Sequence, residues 1–126
     1  MRMEGVSDEE AYVAAIGSIL DISTERIPRF HGISAGMEWN AWLGSKLNLA
    51  AWEFSNFSAV PPGLWLLRIK SPYPAYDMHT LVMHGQLIVH DPHPEPQDID
   101  LSDVGLVGIV LFPLDPSLPS GRLALD

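Results

Sequence analysis

Cysteine is absent from the 126 residues, so the chain has no disulfide, no thiolate metal ligand and no thiol nucleophile. Basic residues are scarce: seven Lys and Arg stand against sixteen Asp and Glu, a net charge of −9. A chain without a basic face cannot displace counterions from a phosphate backbone, so no nucleic acid partner is expected. The acids gather at both ends and around the 98–103 loop, a distribution that serves solubility. Long apolar runs are missing, and none approaches the ~20 residues of a membrane span. The opening MRMEGVSDEEAY has no apolar signal region, which points to a cytoplasmic protein with no membrane partner. Internal repeats and low-complexity segments are lacking as well. What is present is 47% apolar and only 18% charged, the composition of a single globular domain over residues 1–126.

Local signals divide the chain into helices followed by strands. Ser7-Asp8-Glu9-Glu10 has the S-x-x-E spacing of a capping box, with Ser7 as N-cap and Glu10 able to reach back to its amide. The helix it opens runs to about Asp21. Ala11, Ala14, Ala15 and Ser18 form a stripe of small residues at helical spacing, a surface that permits close packing. A second helix is expected from Ser34 to about Leu47, with Trp39, Trp42, Leu43 and Leu47 on one face as core anchors and Gly36 and Gly44 weakening it. LAAWEF is a short strand candidate, and LWLLRIK a stronger one after the Pro61-Pro62-Gly63 turn signal. SPYPAYD reads as a proline-broken loop. MHTLVM and QLIVH follow, split at His84-Gly85, and VGLVGIVLF closes the series. Helices first and an antiparallel sheet after them make an α+β pattern.

The chemistry concentrates in HTLVMHGQLIVHDPHPEP, residues 79–96, which holds four of the five histidines. His79, His84, His90, Asp91, His93 and Glu95 are suitable ligand types for zinc or iron, but their spacing matches no metal motif, and no metal or other cofactor is expected. A two-histidine phosphodiesterase would need two H-x-[ST] copies, which the chain lacks. The remaining constellation is a histidine and a carboxylate on neighbouring strands, His79 and Asp91, where the acid orients an imidazole as general base. Register constrains it. A two-residue turn at His84-Gly85 pairs residue 79 with residue 90 and sends Asp91 to the opposite face. A His79–Asp91 contact therefore requires an odd loop, a bulge, or Asp91 just past the ladder.

Two stretches together resemble small papain-like (C39-like) cysteine peptidase domains of phage and bacterial genomes. AYVAAIGSILDISTERIPRF is similar to that family's nucleophile helix through Ala14, Ala15, Ser18, Leu20 and the Ile27-Pro28-Arg29-Phe30 ending. SPYPAYDMHTLVMHGQLIVHDPHPEP is similar to its His-led hairpin through Ser71-Pro72, His79, Gly85 and the intact HDPHP from His90 to Pro94. The likeness runs from Glu9 to Phe112. It implies a papain-like fold, an N-terminal helix packed on an antiparallel sheet. It also implies a thiol hydrolase of cysteine peptidase, deamidase or acyl-transferase type, acting on an amide or ester of a peptide, protein or small molecule. His79 is then the base and Asp91 its orienting partner.

The family's nucleophilic cysteine falls on position 11, where this chain has Ala11. A glutamine six residues earlier often serves the oxyanion hole in such enzymes. Here that position is Gly5, leaving the amide of residue 11 as one expected donor. Retention of His79, Asp91 and the helix cap favours an inactive form in which Ala11 replaces a cysteine, made to trap a substrate or stop self-cleavage. The alternative is a naturally inactive papain-like binding module, such as a phage anti-defence protein that holds a peptide or small molecule.

Overall fold

The computed structural model describes every residue except 1, 2, 4, 6, 103 and 126, so Glu4, Asp103 and Asp126 among the clustered acids lie outside the described residues. Helix α1 (Asp8–Leu20) starts where the sequence places it. Ser7 is the N-cap in extended conformation, and its hydroxyl accepts from the Glu10 amide at 3.1 Å. The reciprocal half of the capping box is replaced by a tertiary contact. Both Glu10 carboxylate oxygens accept from Arg29, at 3.0 and 3.2 Å, tying the helix start to the connector. Asp21 ends α1 in the left-handed region (φ 55°), and a 3-10 turn over Thr24–Arg26 leads to helix α2 (Ala35–Leu47).

Strand β1 (Leu49–Phe54), β2 (Leu64–Lys70), β3 (Met78–His84), β4 (Leu87–His90) and β5 (Gly105–Pro113) form one antiparallel sheet in the order β1-β5-β2-β3-β4. The fold is therefore α+β, with the N-terminal helix packed on an antiparallel sheet. Alternation along the strands gives the sheet two apolar faces. Leu49, Leu66, Val82 and Ile109 pack with Val13 and Ile16 of α1 and Trp39, Leu43 and Leu47 of α2. Trp65, Leu67, Ile69, Leu81 and Met83 form the opposite cluster, covered by Phe57 and Val60 from one loop and by Ile99, Leu101 and Val104 from another. Loops can cover this face because they supply apolar side chains of their own, and the Trp65 indole N–H donates to the Gly85 carbonyl at 2.9 Å.

Among the described residues no helix is long and apolar enough to cross a membrane. The one-turn helix α3 (Arg122–Leu125) carries no sequence signal, because four residues cannot display helical periodicity. The hairpin turn differs by one residue from the expected split: His84 pairs with Leu87, so the turn residues are Gly85 and Gln86. Gly85 takes φ +58°, the left-handed geometry a tight hairpin turn demands.

Gly108 is fixed by close approach. It lies across from Phe54 in the β1–β5 ladder, and a Cβ there would stand 2.4 Å from the Phe54 ring. Gly108→Ala should therefore cost about 1–3 kcal/mol by overpacking. Chemical denaturation should show this loss, and Phe54→Leu in the same chain should recover part of it. A neutral Gly108→Ala would mean that the ring moves aside freely.

Candidate functional site

The contact between His79 and Asp91 depends on a fault in the sheet. Near the turn, β3 and β4 pair as His84↔Leu87. The register shifts between Val82 and Met83, and Val82 then faces His90 while Met83 faces Ile88. Val89 is the extra residue of this bulge. Without it, Asp91 would fall opposite Thr80, on the wrong side of the strand. With it, Asp91 follows the Val82↔His90 pair on the side of Leu81 and His79. Asp91 also lies one residue past the end of β4. The imidazole Nε2 and Asp91 Oδ1 meet at 2.6 Å, with the His79 side chain 0% and the Asp91 side chain 8% exposed.

Three donors converge on the Asp91 carboxylate. Besides His79, the Tyr73 hydroxyl donates to Oδ2 at 2.5 Å and the His93 amide to Oδ1 at 2.9 Å. Burial alone would push Asp91 up. The hydrogen bonds from His79, Tyr73 and the His93 amide outweigh it, so its pKa sits below the ordinary carboxylate value of 3.8. An ionised Asp91 can only accept, which places a proton on His79 Nε2. The HDPHP turn is built to hold this carboxylate. The His93 ring stacks on Tyr73 with centroids 3.7 Å apart, and its Nδ1 accepts from the Glu95 amide at 3.0 Å. Tyr73 itself accepts from the Gln97 amide at 3.2 Å.

The other ring nitrogen is occupied as well. His79 Nδ1 lies 2.7 Å from the Tyr76 hydroxyl, which also reaches Met3 Sδ at 3.8 Å. Burial, reinforced by Asp91, pushes Tyr76 far above the ordinary phenol value, so it keeps its proton while hydrogen-bonded to His79 Nδ1. Tyr76 in turn packs on the buried cluster of Met3, Ala11 and Ala14. Position 11 is thus a fully buried methyl (0% exposed) in the cluster on which Tyr76 packs, and the same tyrosine reaches the imidazole. The expected oxyanion donor is also spent. The Ala11 amide donates to the Ser7 carbonyl at 3.0 Å, because α1 begins three residues earlier and residue 11 closes its first turn.

Tyr73 and Tyr76 were not legible as site residues, since SPYPAYD reads only as a loop. The one available signal is two aromatics held three apart in a segment pinned at both ends. The Ser71 amide donates to the Asp77 carbonyl at 2.8 Å, and the Ser71 hydroxyl accepts from the Tyr73 amide at 2.9 Å. Of the remaining histidines, His84 is exposed at the end of β3 and His90 ends β4. Among the described residues no three His, Asp or Glu side chains converge in a way that could hold a metal ion. No family model, no curated protein and no solved structure matches this chain.

The depressed pKa of Asp91 carries a pH signature. The unfolded carboxyl binds its proton at a higher pH than the folded one, so stability from this group is fully present above the ordinary carboxylate value of 3.8 and is lost as pH falls through the lower folded value. Asp91→Ala should remove that acid-dependent component and, by leaving the His79 and Tyr73 donors unpaired, cost about 2–4 kcal/mol at neutral pH. Denaturant midpoints measured from pH 7 to 2 test both. Parallel curves for the two proteins would contradict the assignment.

Proposed function

We propose that this chain is a papain-like domain serving as a binding module, with the hydrolytic machinery of that architecture silent. The observation that carries this reading is the Tyr76 hydroxyl at 2.7 Å from His79 Nδ1, with the same tyrosine packed on the buried cluster that holds Ala11. A general base needs a ring nitrogen free to take a proton and a nucleophile within reach of it. Here one nitrogen is bonded to Asp91, the other to Tyr76, and the amide at position 11 is bonded inside the helix. On this reading His79 and Asp91 hold the 71–77 loop and the HDPHP turn in place.

One observation favours the thiol hydrolase as a second reading. The His79–Asp91 pair is short, buried and fully oriented, as an imidazole base facing a cysteine at position 11 would require. In that case Tyr76 would have to withdraw, a thiolate would attack an amide or ester, and water would resolve the acyl-enzyme.

Ala11→Cys separates the two without knowledge of a substrate. The binding reading expects iodoacetamide to alkylate the introduced thiol slowly and only at alkaline pH, with no dependence on His79→Ala. The hydrolase reading expects ready alkylation near pH 6, roughly two units below the ~8.5 of a free cysteine, lost when His79→Ala is added. The second outcome would overturn the silent-module reading.

A further inference from the structure

The strand order leaves β1 and β4 as the two edges of the sheet. Alternate residues of an edge strand bond to its one neighbour, and the N–H and C=O groups between them point outward. The two edges differ. β4 has four residues, carries the bulge at Val89 and runs into Pro92 and Pro94, all of which discourage further pairing. β1 has no such protection. All six residues of Leu49–Phe54 pair with β5 without a register shift, and LAAWEF contains no proline, lysine or glycine. Among the described residues no hydrogen bond from outside the sheet reaches the backbone of residues 49–54.

The face that β1 turns away from the helices is apolar and open. Leu49 and Ala51 pack into the helix-covered core, so Ala50, Trp52 and Phe54 take the other face by alternation. The loops over Trp65 and Leu67 also cover Phe54, but they leave Trp52 67% and Phe112 44% exposed. Trp52 pairs with Val110 and Ala50 with Phe112, which makes these four residues one patch along the edge. Of the four tryptophans, Trp52 alone is exposed.

We infer that this edge pairs with the same edge of a second copy, β1 against β1 in antiparallel fashion about a two-fold axis at Ala51. An axis normal to the sheet opposes only residues of the same face. Centred on Ala51, it sets each Trp52 against the partner's Ala50, where the small side chain leaves the indole room to reach the partner's Phe112. Large meets small twice about the axis. Centring on Trp52 would instead oppose two indoles. Glu53 is the one charged residue of β1. In the Ala51 register the two Glu53 side chains stand four positions apart along the strands, about 13 Å, beyond the ~8 Å screening length at physiological ionic strength. The seam therefore holds no close like-charge contact, despite the net charge of −9 on each copy. An unrelated extended peptide would meet the same backbone row but not this alternation of large and small. β5 and β2 separate the edge from β3 and His79, so the pairing does not rest on the silent-module reading.

The absence of cysteine makes a single introduced thiol the only one in the chain. Ala51→Cys in the full chain places two thiols across the axis, with Cβ atoms about 5 Å apart and near disulfide reach. Glu53→Cys, on the same face, places them about 13 Å apart. Mild oxidation should therefore link Ala51→Cys into a covalent dimer at least ~tenfold faster than Glu53→Cys. Sedimentation of the unaltered chain from roughly 1 μM to 1 mM should show a reversible monomer–dimer equilibrium, with tryptophan emission moving to the blue as Trp52 is covered. Trp52→Lys should weaken association at least ~tenfold. It should leave the thermal midpoint of the monomer nearly unchanged, because the indole is exposed there. A chain that stays monomeric over the whole range, association indifferent to Trp52→Lys, or equal cross-linking of the two thiols would each overturn the assignment.

Discussion

A carboxylate buried on an apolar sheet is tolerable only if donors surround it, and Asp91 sets that requirement for one whole end of this molecule. Its three donors come from strand β3, from the loop before β3 and from the turn after β4. The Pro92 carbonyl next to it accepts from the Met3 amide at 3.0 Å, which brings the N-terminal segment to the same place. Segments far apart in the chain are thus held by one ionised group. Pro92 and Pro94 limit the backbone on either side of His93, so the turn that supplies the third donor is already restricted before folding.

The small-residue stripe of α1 acquires its purpose from this arrangement. Ala11 and Ala14 are buried with Met3, and the half-buried Tyr76 packs on that cluster. From there the phenol reaches the imidazole. Helix, loop and histidine are thus joined through one tyrosine, which packs on the cluster of Ala11 and bonds to His79.

Much of this was legible in the residues. The S-x-x-E spacing located the start of α1, and the Trp39, Leu43 and Leu47 periodicity located α2. Register logic showed that His79 and Asp91 could meet only through an irregularity, and a bulge at Val89 supplies it. Other features are tertiary and leave no local mark. Glu10 bonds to Arg29 because the connector folds back, which no capping pattern reveals. LAAWEF is a weak strand sequence with two alanines, yet β1 forms because β5 pairs along its full length. The roles of Tyr73 and Tyr76 required knowing where their loop lands. A groove between Tyr12 and Trp39 joins residues from six separate elements and the connector, so nothing in their spacing announces it.

The central claim is that His79 is held between Asp91 and Tyr76, with its Nε2 proton directed at the ionised acid and its Nδ1 hydrogen-bonded to the phenol. Two-dimensional NMR of the histidine ring nitrogens at neutral pH reads this arrangement directly. The account predicts a protonated Nε2 and a hydrogen-bonded Nδ1 whose chemical shift moves when Tyr76→Phe removes the hydroxyl. A proton on Nδ1 facing an unprotonated Nε2, or a ring indifferent to Tyr76→Phe, would contradict it.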